Sequence, residues 1–195
     1  MKWFIADLHL DDKRLFGPRK DYFENVPAWS RYILGQIHRY ITKADHLYIL
    51  GDMAHRDLHK WRMKIRTGQA WFLKGNHDPS DAQCTRAFGR QFRHIMGVRL
   101  CDGTDCLLSH YPQAFWNKSH HGSYHLYGHC HGQREATLDK WMPQRRSMDV
   151  GPETIFQLTG QWRPINEQEI VDHLGPRQGH DPKEFYDQFH RQEGD

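Results

Sequence analysis

Five times along this chain a short apolar run, rich in aromatic and branched residues, ends in a cluster of aspartate, asparagine, histidine and glycine. The runs at 3–6, 46–50, 70–73, 106–108 and 124–127 read as strands, and two further strands are expected at 98–101 and 154–158. Asp7 and His9 follow the first run, Gly51 and Asp52 the second, and Gly75, Asn76, His77 and Asp78 the third. Ser109 and His110 end the fourth, and Gly128, His129, Cys130 and His131 end the fifth. Helical patterns lie between the runs, so the sequence predicts an α/β layer structure. Open α/β sheets gather ligands outside the carboxyl ends of their strands, which brings the five clusters to one sheet edge.

Trp29, Ile33, Ile37 and Ile41 recur every four residues, with Tyr32 and Tyr40 widening the stripe, and predict an amphipathic helix after Pro27. A second helix is expected after Asp57, with a narrow apolar face of Leu58, Trp61 and Ile65 and a basic face of Lys60, Arg62, Lys64 and Arg66. Asn166 with Glu169 forms a capping box, flanked by Ile165 and Ile170, so a helix begins near Asn166. A linker with glycine and proline follows, and Asp181, Pro182, Lys183 and Glu184 repeat the box. The expected organisation is one domain over 1–195, with 175–195 a linker and a C-terminal helix docking through Phe185 and Phe189.

A length of 195 residues suits one core, and an aromatic share of 13% supplies large side chains to fill it. No run approaches the roughly 18 apolar residues of a membrane span. The 4 cysteines show no C-x-x-C spacing, so free thiols and a cytoplasmic location are expected. Lys and Arg at 27 against Asp and Glu at 24 leave a net charge of +3, too mild to define a nucleic-acid binder by electrostatics alone. Histidine is the outlier at 16, and imidazole serves both as a metal ligand and as a proton shuttle.

In order, D-x-H, GD, GNHD, an isolated histidine and GH-x-H resemble the five-block signature of the calcineurin-like metallophosphoesterases, running from Asp7 to His131. The phrases LSHYP, YGHCHG and DVGPE are most similar to the small bacterial and phage phosphoesterases of that superfamily. The resemblance implies two mixed β-sheets packed face to face with flanking helices. It also implies two divalent transition-metal ions, with manganese the leading candidate and iron, nickel, cobalt or zinc the others. Asp7, His9, Asp52 and His131 would hold one ion and Asp52, Asn76, His110 and His129 the other, with Asp52 shared. The implied reaction is attack on phosphorus by a hydroxide between the ions. The substrate is a phosphoester, with diesters of nucleotide or nucleic-acid type first and a phosphomonoester as the alternative. His77 would act on the transition state with Asp78 orienting its ring, and Arg56 would contact substrate.

The sequence departs from the protein-phosphatase members, which carry GD-x-x-D-R-G and GNHE. Here His55 and Asp57 flank Arg56 and the later block ends in Asp78, which disfavours a protein substrate. Taken singly, Asp7, Asp52 and Asn76 are ordinary turn residues, and His110 an ordinary packed histidine. His120 and His121 read as a solvated loop, Cys130 as core, Trp116 and Trp141 as packing residues, and the basic face after Arg56 as a solvated surface beside the cleft. A non-catalytic module binding metal or nucleic acid is the reading from a different class. A closed zinc knot is disfavoured because Cys84, Cys101 and Cys106 lack ligand spacing.

Overall fold

The computed structural model describes residues 1–179. Its elements in chain order are β1 (Lys2–Ile5), α1 (Val26–Tyr40), β2 (His46–Leu50), α2 (Leu58–Lys64), β3 (Gln69–Leu73), α3 (Asp81–Phe88), β4 (Phe92–Arg93) and β5 (Ile95–Arg99). They continue with β6 (Asp105–Ser109), β7 (Tyr124–Tyr127), α4 (Glu135–Trp141), β8 (Ser147–Asp149), α5 (Pro152–Thr159), β9 (Ile165–Asn166) and α6 (Glu167–Leu174). One sheet has the order β4-β3-β2-β1-β9 and the other β5-β6-β7-β8. Both are mixed: β1, β2, β3 and β4 run parallel with β9 antiparallel to β1, and β6, β7 and β8 run parallel with β5 antiparallel to β6.

Strand alternation explains how the layers stack. Trp3 and Ile5 of β1, Leu47 and Ile49 of β2 and Phe72 of β3 face a core shared with Trp29, Ile33 and Ile37 of α1 and Phe88 of α3. Their neighbours Phe4, Tyr48, Leu50 and Leu73 face a second core shared with Cys106, Leu108, Leu126 and Met148 of the other sheet. The fold is therefore an α/β sandwich of two mixed sheets with flanking helices, as the resemblance implied.

Local signals account for most helices. The Asn25 side chain accepts from the Ala28 N–H at the head of α1, and Pro27 occupies the first turn. Asn166 caps α6 and the Glu169 carboxylate closes the box on the Asn166 N–H. One expected strand is corrected: 154–158 lies inside α5. Pro152 opens that helix and Gly160, with φ of 71°, closes it in the left-handed conformation, so the apolar run TIF is a short helix face set by its punctuation. The capping box at Asp181, with Phe185 and Phe189, lies outside the described residues. No helix among the described residues is long and apolar enough to cross a membrane.

His125, for which spacing suggested no partner, is buried in β7 as a neutral imidazole. Its Nδ1 donates to the Leu107 carbonyl at 3.1 Å, and its Nε2 accepts from the Gln113 N–H at 3.1 Å. Burial pushes its pKa down to about 4. The folded form therefore binds this proton less readily than the unfolded chain, and the contribution is intact above about pH 6.5 and lost as pH falls toward 4. We expect urea unfolding to lose about 1.4 kcal/mol per pH unit across that window from this residue alone. His125→Gln should flatten that slope relative to wild type; parallel pH profiles would refute the assignment.

Candidate metal centre

The five loops meet at the carboxyl ends of β1, β2 and β3 in one sheet and of β6 and β7 in the other, so the site joins two sheets and is not the single sheet edge expected. Backbone bonds zip the first two together: Asp7 N–H donates to the Gly51 carbonyl, His9 N–H to that of Asp52, and Leu10 N–H to that of Met53. Seven non-glycine residues among those described have left-handed backbone, and five of them are Asp7, His9, Asp52, His129 and His131. Such strain persists only where the surroundings over-determine it, and it concentrates at functional sites. Two glycines permit the close approach. A Cβ on Gly75 would stand 2.1 Å from Asp52 Oδ1, and one on Gly128 would stand 2.6 Å from Asp7 Oδ2.

All seven expected ligands come together. Asp7, His9 and His131 form one cluster with ligand atoms within 4.8 Å of one another, and Asp7, Asp52 and His110 form a second. Asn76 joins the second group, its Oδ1 lying 3.0 Å from both His110 Nε2 and His129 Nδ1. Asp7 is thus common to both clusters, whereas the resemblance gave the shared place to Asp52. Asp52 Oδ2 nonetheless lies 3.8 Å from His9 Nε2 and 3.5 Å from His110 Nε2, so it reaches both sides.

The donor set fits divalent transition metals. Asp7 Oδ1 and His9 Nε2 are buried with no hydrogen-bond partner, a costly condition that a cation beside them relieves. His110 Nδ1 lies 2.9 Å from the Leu50 carbonyl and donates to it, which leaves its Nε2 bare toward Asp52 and Asn76. Burial, with the charges of Asp149, Asp52 and Glu153 nearby, raises the Asp7 carboxyl well above its ordinary range. Burial holds His9 neutral, down to about 3. Clustered interior carboxylates beside neutral imidazoles form a pocket for positive charge.

Three supporting residues escaped the sequence reading as individuals. The Arg19 guanidinium is fully buried; it donates to Glu153 Oε1 at 2.7 Å and to the carbonyls of Leu8 and Asp7 at 2.9 and 2.5 Å. Glu153 Oε2 in turn lies 3.5 Å from His131 Nδ1. Asp149 accepts from the N–H groups of Gly132 and Gly151, at either side of the site. The DVGPE phrase contains both acids, but Arg19 sits in a polar stretch with no periodic signal.

Asp78 requires a correction. Its carboxylate accepts from four backbone N–H groups, those of Asp52 and Gly75 at Oδ2 and those of Met53 and Ala54 at Oδ1. It clasps the loop after β2 to the loop after β3 and does not orient the His77 ring. Burial, then the Asp52 charge, push it up to about 7. His77 is half-buried, its N–H donating to Asp52 Oδ1 and its ring 5.5 Å from that of His9. The structure does not bring Arg56 into the cluster: its side chain is exposed, and its N–H donates to Asp11 Oδ2. Cys130 is half-buried rather than core, and Trp141 is exposed rather than packed, while Trp116 is a packing residue bonded to Ser123.

A two-sheet α/β sandwich that gathers imidazoles, carboxylates and an amide at its strand ends defines the class of metal-dependent phosphoesterases. The calcineurin-like phosphoesterase family matches residues 3–190, and the chain belongs to that family. Among solved structures it is similar to AQ665, a protein of unknown function from Aquifex aeolicus, at 20% identity and a TM-score of 0.67, over 88% of this chain and 98% of that one. That likeness bears on the fold. No curated protein matches the chain.

Proposed function

We propose that the protein hydrolyses phosphodiesters with two divalent metal ions, manganese first among them. The observation that carries this reading is the pair of adjoining clusters, Asp7 with His9 and His131, and Asp7 with Asp52 and His110, where buried ligand atoms lack partners. When bound, such ions supply Lewis acidity and lower the pKa of water near neutrality. The chain's own residues do the rest. Asp7, His9, Asp52 and His131 would hold one ion, and Asp52, Asn76, His110 and His129, with Asp7 also within reach, the other. The His77 imidazole, beside His9 and half-open to solvent, donates to a phosphoryl or leaving-group oxygen. Arg19 and Glu153 fix the loop after β1 and the His131 ring. Tyr111, 48% exposed with its ring 4.7 Å from that of His129, walls the mouth.

Metal-stripped protein should hydrolyse neither a chromogenic diester nor its monoester, and restored manganese should return diester turnover by at least about a hundredfold. Turnover of the monoester alone would replace the diester reading with a phosphatase. Turnover by fully stripped protein would refute the metal requirement.

A further inference from the structure

Away from the metal centre, the cleft between α1 and α2 differs most from an ordinary solvated surface. Two cavities of about 410 and 460 Å³ lie along it and share Arg31, Leu34 and Lys64, forming one trough. Its floor is apolar, with Leu10, Val26, Leu34 and Trp61. Its rim carries Lys13, Arg31, Lys64 and Arg66, all exposed. None of these four forms an ion pair with a carboxylate among the described residues. The acid at the inner end, Asp11, is already engaged, accepting from the N–H groups of His55 and Arg56. The Lys64 ammonium lies 4.2 Å over the Trp61 ring.

Four cations without carboxylate partners around an apolar floor that carries one aromatic ring, Trp61, match the charge pattern of a groove that tracks a phosphate backbone. Each cavity has the size of a nucleotide-scale group. On α1 the trough runs from Val26 to His38, about 18 Å at 1.5 Å per residue, which suits a polymer better than one small molecule. Its inner end, Leu10 and Asp11, directly follows the ligand His9.

We propose that the trough between α1 and α2 binds single-stranded nucleic acid and leads it to the metal centre. This rests on the phosphodiesterase reading and names its substrate class. Binding is read by the anisotropy of a short fluorescein-labelled oligothymidylate on metal-stripped full-length protein, so that no cleavage intervenes. Four phosphate contacts predict a slope of log affinity against log salt near about −3. The double variant Arg31→Glu, Lys64→Glu should weaken binding at least about tenfold, whereas Arg31→Lys, Lys64→Arg should retain it. Circular dichroism checks that each variant is folded. Unchanged binding in the charge-reversed variant overturns the proposal, as does tighter binding of polyglutamate or of duplex DNA than of the single strand. Diester turnover by manganese-loaded wild type is measured separately. Its absence beside charge-sensitive strand binding would refute the phosphodiesterase reading alone, and its presence beside charge-insensitive binding would refute the trough alone.

Discussion

Asp52→Asn should leave the protein folded and cut manganese-dependent hydrolysis by about 10²–10³-fold or more, beyond the 10–100-fold typical of residues that support a ligand. The amide retains an oxygen to accept the His77 N–H but removes the negative charge that lies between His9 and His110. In the metal-free protein the substitution relieves the repulsion of buried Asp7 but also removes the pull of His110 and His9 that, against burial, holds the Asp52 carboxyl below its ordinary range, so the two oppose and the net change in stability should be small. Thermal melts with and without manganese separate that change from the loss of metal binding. Wild type should gain several degrees on adding the metal, and the variant should lose most of that gain. Wild-type turnover in a folded Asp52→Asn protein would refute the role given to this carboxylate.

Arg19→Met should be the most destabilising single change at the site, costing about 3–5 kcal/mol. Arg19 is buried and serves three acceptors, so its loss leaves Glu153 charged without its main partner and the Asp7 carbonyl without a donor, while the Leu8 carbonyl keeps the Trp29 indole N–H. Burial alone would raise Glu153, but Arg19 and then His131 hold it down at about 2. The ion pair's contribution is therefore present above about pH 4.5 and fades as pH falls toward 2. Arg19→Met with Glu153→Leu removes both charges and should recover much of the loss, giving a coupling energy of the order of 1–3 kcal/mol in urea unfolding. Additive single effects would show that the pair does not act as a unit. Activity in Arg19→Met should fall about 10–100-fold, because the His131 ring and the loop holding Asp7 lose their support.

The residues whose roles were legible in the sequence are those with local signals. Each candidate ligand stands directly after an apolar run, a local property that puts Asp7, Asp52, Asn76, His110 and His129 at strand ends; that those ends belong to two sheets and not to one edge depends on strand pairing, which no local pattern carries. The stripe of Trp29, Ile33 and Ile37 and the capping box at Asn166 are equally local, and both elements formed where expected. The strand expected at 154–158 failed because a short apolar run does not distinguish strand from helix, and Pro152 and Gly160 outweighed it. Asp78 was misread because a carboxylate next to a histidine in sequence suggested a side-chain partner. The turn points it instead at backbone N–H groups from two loops.

By itself the sequence determined the α/β class, the order of the five ligand clusters and the chemistry of their donors, because hydrophobic period and residue type act over a few neighbouring positions. Only the tertiary structure decided that Arg19 meets Glu153 across 134 positions, that Asp7 belongs to both clusters, and that α1 and α2 leave a cationic trough lined at one end by Leu10 and Asp11. Those relations depend on which strands pair and where buried charges find partners, and no local pattern encodes a contact whose two halves become neighbours only after the chain has closed on itself.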